Sequence, residues 1–197
     1  MTHIRPAGLR DFPGTYRVCL QTADAGSDGT ALYANPDLLG HVYVGPYLVG
    51  QPDLAFVIAD EHGIAGYVLG AADTRKFEAW QEHQWWPALR AQYPPSEGAT
   101  ADDELIAQLH SPASTPDCVV EDYPAHLHID LLPRVQGFGF GRAMLDTLFD
   151  ALRARGVHGI HLDVSEDNHN AIAFYHHLGF AERARGADSI YMGMELS

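Results

Sequence analysis

The sequence predicts an α/β fold, with a mixed sheet flanked by helices. In the C-terminal half, an apolar run from Leu127 to Leu132 passes through a glycine turn into an amphipathic helix. An alternating strand, Ile160-His-Leu-Asp-Val164, follows. Strand, crossover helix and strand in so few residues make a right-handed parallel unit. In the N-terminal half, two apolar runs separated by three residues make an antiparallel hairpin, so the sheet contains both pairings. At 197 residues and 46% hydrophobic content the chain is long enough for one domain, 1–197, to bury a core unaided.

From the N-terminus, His3-Ile-Arg5 reads as a short first strand. Ala7 to Asp11 leads into a first helix running to about Leu20, which Pro13-Gly14 is expected to perturb. Leu54 to Asp60 and Ile64 to Gly70 are the hairpin strands, joined by Glu61-His62-Gly63. Residues 74–123 form a helical insertion between the third and fourth strands. Lys76 to Ala91 reads as helix and carries Trp80, Trp85 and Trp86. Pro94-Pro95-Ser96 ends it, and Asp102 to His110 is a second short helix. Two of the three tryptophans, with no sign of which two, are expected to bury the insertion against the rest of the chain. After the fourth strand, Met144, Leu145, Leu148, Phe149 and Leu152 form one stripe of a helix that Gly156 ends. Asn168 to Leu178 is a further helix with Gly179 as its stop, Phe180 enters a strand, and Ile190 to Leu196 is the last strand.

The turn between the fourth strand and its helix points to chemistry. Gly137, Gly139 and Gly141 alternate just ahead of the helix, so backbone N–H groups and the positive helix end face the same turn. That arrangement binds phosphate. The spacing is not G-x-G-x-x-G, because the third glycine comes one residue early. It is not a P-loop, because Arg142-Ala143 follows Gly141.

Gln136-x-x-Gly139-x-Gly141 resembles the pyrophosphate signature of the GNAT N-acetyltransferases. Asn168-His-Asn-Ala-Ile-Ala-Phe-Tyr-His-His-Leu-Gly-Phe180 resembles their closing motif, N-x-x-A-x-x-x-Y-x-x-x-G-F, at every marked position. The resemblance implies the acyl-CoA N-acyltransferase fold, a mixed sheet of six to seven strands whose fourth and fifth strands splay around a pantetheine arm. It implies acetyl-CoA as co-substrate, with the backbone of Leu131 and Leu132 along that arm. Gln136, Gly137, Phe138, Gly139, Phe140, Gly141 and Arg142 would lie at the diphosphate, and Asn168 and Asn170 on the pantetheine side. It also implies that Tyr175 protonates the departing thiolate. From the residues alone, Tyr175 reads equally as a core-facing aromatic. A narrower resemblance runs through Ala23 to Thr30, Asn35 to Gly40, Tyr43 to Leu48 and Gly66 to Ala71. These segments are similar to the acetyltransferase-like domain at the C-terminus of animal O-GlcNAc hydrolases. Glycoside hydrolysis does not follow, because the chain has no room for a sugar-hydrolase domain.

The formal net charge of −14 argues against nucleic acid and is compatible with a cationic amine acceptor. No apolar run reaches membrane-span length and the N-terminus has no signal-like region, so no membrane partner and a cytoplasmic location are expected. Two cysteines suggest no disulfide framework. The twelve histidines lack zinc spacing, and no metal is expected, although His126 and His128 point the same way on one strand. The loop from Thr22 to Thr30 fails as a calcium loop at Gly26 and Asn35. Either Asp28 or Ser27 caps a following helix, or the loop lines an acceptor site with Tyr33, Tyr43 and Tyr47.

Transfer to an amine requires loss of a proton from the acceptor. Asp130 and His128 are the candidate bases on the fourth strand. They are expected to face opposite sides, so that only one meets the acceptor. Asp73 and Asp24 are outside possibilities, and an N–H near Leu131 or Leu132 would polarise the carbonyl. The leading expectation is an N-acetyltransferase working by direct attack in a ternary complex. The alternatives are a non-catalytic acetyl-CoA-binding module and a binding module with no cofactor. Protein lysine, an amino sugar and a small polyamine all fit as acceptors.

Overall fold

The computed structural model of the chain describes residues 2–196. Its strands are β1 (His3–Pro6), β2 (Ala55–Asp60), β3 (Gly63–Ala71), β4 (Ala125–Leu131), β5 (Gly159–Ser165), β6 (Ala181–Arg185) and β7 (Ser189–Glu195). They form one seven-stranded sheet in the order β1-β2-β3-β4-β5-β7-β6. Only β4 and β5 pair in parallel; the other neighbours are antiparallel.

The crossover helix α8 (Phe140–Arg153) buries the stripe read from its periodicity, Met144 to Leu152, on one face of the sheet. On the opposite face lie α1 (Phe12–Leu20), α2 (Leu38–Tyr43), α3 (Gly45–Gly50) and, from the insertion, α4 (Thr74–Trp80), α5 (Trp86–Gln92) and α6 (Ala101–His110); α7 (Asp117–Val120) closes the insertion just ahead of β4. β3 is therefore covered on both sides, with Val68 in one core and Tyr67 and Leu69 in the other. This is why its sequence is continuously apolar rather than alternating.

Four local expectations need correction. Pro13 does not perturb α1, because it stands in the first turn, where its missing N–H would have no helical partner. The stretch 76–91 is two helices joined by a π-helical turn at Gln81–Trp85. Pro87 sits at the start of α5 and cannot donate into the ladder, so the hydrogen-bond register changes there. Neither Asp28 nor Ser27 caps a helix: Asp28 accepts from the N–H and hydroxyl of Thr30, and the next helix begins only at Leu38. Finally, all three tryptophans hold the insertion down. Trp86 is buried, and Trp80 and Trp85 pack against the same core. A Cβ on Gly50 would lie 2.7 Å from Trp80, and one on Gly45 would lie 2.5 Å from Trp85. The Trp85 indole also donates to the His41 carbonyl at 2.8 Å.

Candidate active site

The site is a seam in the sheet. β4 and β5 pair only at Ala125–Ile160 and His126–His161, and beyond those residues they part. The N–H of Leu132 donates to Ala65 at 2.8 Å. Alternation along an antiparallel ladder then turns the N–H groups of Ile129 and Leu131 away from β3 and into the seam. Of the two amides considered for polarising a carbonyl, Leu132 is thus committed to the sheet, and Leu131 is the one that faces the opening. The Leu131 carbonyl accepts from the Gln136 side chain at 2.7 Å, which ties the glycine turn to the end of β4.

In that turn Gly137 and Gly139 have φ of 79° and 81°, the left-handed region that costs other residues about 1–2 kcal/mol. A Cβ on either would meet no protein atom within 4 Å, so the turn leaves an open cradle. Gly141 is more closely held, with Leu131 and Phe174 each 3.3 Å from where its Cβ would be. Gly139 is the N-cap of α8 and offers no side-chain cap, and the first helical bond runs from Ala143 to the Gly139 carbonyl. The N–H groups of Phe140, Gly141 and Arg142 have no helical acceptor and point outward. Arg142 is exposed beside them, and its Asp146 neighbour is 3.8 Å away. Backbone donors, a helix dipole and a guanidinium around an open cradle fit a diphosphate. The Phe138 side chain is 74% exposed, so this residue offers only its backbone to the turn.

From the cradle a cleft of about 540 Å³ runs along the seam to Tyr175, lined by β4, α9 (His169–Leu178) and loop residues Ala25 to Ser27. Asn168 spends its side-chain oxygen capping α9 at Ala171, which leaves its NH2 group as a donor. Asn170 also lines the cleft. Tyr175 is buried at the inner end, and its hydroxyl has no hydrogen-bond partner among the described residues. Burial, reinforced by the nearby Asp130 charge, pushes its pKa above the usual tyrosine range, so it remains protonated.

Asp130 stands where this cleft meets a second recess of about 260 Å³ bounded by Tyr33, Tyr43, Leu105 and His128. The expectation that Asp130 and His128 face opposite sides is wrong. Two residues apart on a strand, they share a face, and both line this recess. Burial raises the Asp130 carboxyl above the ordinary carboxylate range, and the Tyr67 hydroxyl partly offsets this by donating to it at 2.5 Å. His128 falls to about 4 through burial and the neighbouring His161, and is a neutral imidazole at physiological pH. Asp73 and Asp24 lie outside the junction. Asp73 caps α4 and pairs with Lys76, and Asp24 is an exposed member of a tight turn with Ser27.

Sequence reasoning did not find Tyr67, which sits within an apolar strand with no local sign of function. Its contact with Asp130 spans 63 positions and depends on the β3–β4 register that pairs the two residues. Among the described residues, no three His, Cys, Asp or Glu side chains are placed to hold a metal ion. No helix among them is long and apolar enough to cross a membrane.

A seam between two parting parallel strands, with an anion cradle at its mouth, is the architecture of an acyltransferase. The profile of the Acetyltransferase (GNAT) family matches residues 43–180, and the chain belongs to that family. It is 28% identical to rat (Rattus norvegicus) Protein O-GlcNAcase over 186 residues, covering 92% of this chain and 20% of that protein. The chain thus spans about a fifth of this relative's length. Over 64 residues, 32% of this chain and 43% of the relative, it is 44% identical to the [Ribosomal protein bS18]-alanine N-acetyltransferase of Escherichia coli strain K12. The crystal structure of SsHAT superposes with a TM-score of 0.92 at 39% identity, covering 100% of this chain and 98% of that one. By family and fold the chain is therefore a domain of the acetyltransferase type.

Proposed function

We propose that this chain transfers the acetyl group of acetyl-CoA to an amine by direct attack in a ternary complex. The observation that carries this reading is the convergence of Asp130, Tyr175 and the seam-facing amide of Leu131 at the inner end of a cleft that begins at the glycine cradle. Residues 137–142 would hold the diphosphate, and the open edge of β4 with Asn168 and Asn170 would hold the pantetheine arm. Bound there, acetyl-CoA supplies an activated carbonyl and a thiol leaving group.

The chain's own residues manage the protons. Asp130 accepts one from the incoming ammonium. Its raised pKa brings it nearer to working pH, as a general base requires. The Leu131 N–H presents a donor to developing negative charge on oxygen. Tyr175 retains its proton at neutral pH and can release it toward a thiolate at the cleft's inner end. No side-chain nucleophile is required.

Calorimetric titration with acetyl-CoA and with free CoA, followed by an assay of amine-dependent thiol release, tests the reading. Micromolar binding with release on one or more amines supports it. Binding without release across a broad amine panel would leave a cofactor-binding module instead.

A further inference from the structure

Behind the junction, a third cavity of about 190 Å³ lies between the insertion and the open seam. It shares Tyr43 and His128 with the recess at Asp130, so the two spaces adjoin. No Lys or Arg lines it. The polarity of its lining can be deduced proton by proton. The Thr74 hydroxyl donates to the Pro124 carbonyl at 2.8 Å, so Thr74 can only accept from His126 Nδ1–H, also at 2.8 Å. His126 Nε2 is then a lone pair and takes the Tyr47 hydroxyl proton at 2.7 Å. Having spent that proton, Tyr47 accepts from His128 Nε2–H at 3.0 Å. The chain, anchored on a carbonyl, thus leaves His128 Nδ1 as a lone pair with no partner among the described residues. His161 follows the same logic: its Nδ1–H donates to the Tyr123 carbonyl at 2.6 Å, which places its lone pair on Nε2.

Across the seam, Asp163 also lines the cavity. Extending the β4–β5 register puts it level with His128. The other carboxylate there, Glu78, is engaged by Arg75, Ser114 and the Thr115 amide, and is not available. The cavity therefore offers hydrogen-bond acceptors and one carboxylate, Asp163, which accepts from Ser189 but forms no ion pair among the described residues. A primary ammonium, with three donors and a positive charge, is the complement of such a lining.

We infer that this cavity is a subsite for a second, non-reacting ammonium on the acceptor, held by His128 Nδ1 and Asp163, and that the acceptor is a small diamine or polyamine. The inference rests on the transferase reading above. The spacing follows from the strand: Asp130 lies two residues beyond His128, about 7 Å. A chain of about four or five carbons between nitrogens would place one amine at Asp130 and the other in the cavity.

The test is titration of the whole chain with 1,4-diaminobutane and with 1-butylamine, each with and without CoA, for the wild type and Asp163→Asn. Imidazole 15N spectra are recorded alongside. Asp163 is exposed at the sheet surface, and the spectra show whether the variant keeps its fold. Expected are tighter binding of the diamine, a loss of about tenfold in the variant for the diamine alone, and a shift of His128 Nδ1 on diamine binding. Equal affinity for the two amines, or a diamine affinity indifferent to Asp163, overturns the subsite. Failure of the transferase reading looks different: the diamine still binds and still depends on Asp163, but no acetyl group is transferred. A lysine peptide acetylated with no preference for the diamine would also sink the subsite while leaving the enzyme standing.

Discussion

Three side chains at the junction divide the proton chemistry, and each makes a separate prediction. Tyr175 carries a proton it has little tendency to lose, and its ring packs against Phe174 and Phe180 whether or not the hydroxyl is present. Tyr175→Phe should therefore lower kcat about a hundredfold while CoA affinity by calorimetry stays nearly the same. An equal loss of binding would mean that the tyrosine serves only to shape the cleft. Asp130 is read through pH. Its folded pKa is raised, so the base is lost by protonation as pH falls through a value above the usual carboxylate range of about 4. The acid limb of kcat/KM should appear there and should vanish in Asp130→Asn. Tyr67 adds a sign. Its hydroxyl stabilises the ionised carboxylate, so Tyr67→Phe should shift that limb to higher pH. A tyrosine that merely packed would lower the rate without moving the limb. His128, at about 4, stays neutral over the physiological range and cannot supply a limb near the ordinary histidine value.

At the scale of elements, the glycine turn and α8 act as one device, and its two roles separate by mutation. Gly139 and Gly156 flank the same helix, have φ of 81° and 73°, and neither would bring a Cβ within 4 Å of another atom. Either change to alanine should cost about 1 kcal/mol in urea unfolding, from backbone strain alone. Only Gly139→Ala should also weaken CoA binding, by about tenfold, because only its Cβ enters the cradle. The turn was legible in the sequence because local chemistry dictates it: the glycines are needed for positive φ, and the helix that follows has unbroken periodicity. The closing helix was legible for the same reason, with Asn168 as cap and Gly179 in the left-handed region as stop. What escaped the sequence depends on tertiary contact. α2 and α3 are six-residue helices, both containing glycine and α3 a proline as well, with little propensity of their own, and they persist because Tyr16, Trp80 and Trp85 pack onto their glycines. The His126–Tyr47–His128 chain joins residues about eighty positions apart, which no local pattern announces.

For the molecule as a whole, electrostatics oppose the cradle. The site that fits a diphosphate gathers α8 N–H groups and Arg142, while the whole chain carries a formal charge of −14. The local attraction acts within the first helical turn, and the global repulsion acts over the Debye length. That length shrinks from about 30 Å at 0.01 M salt to about 8 Å at 0.15 M. Salt should therefore remove the repulsion before it weakens the contacts in the turn. The association rate of polyanionic CoA, measured by stopped flow, should rise severalfold over that range. A cationic amine acceptor should show the opposite slope, because the same field that repels CoA draws the amine in. Opposite slopes for the two substrates would tie the acidic surface to acceptor capture. A CoA rate that falls with salt would mean that the positive field of the turn dominates well beyond the cleft, and the acidic surface would then have no part in selecting between the two.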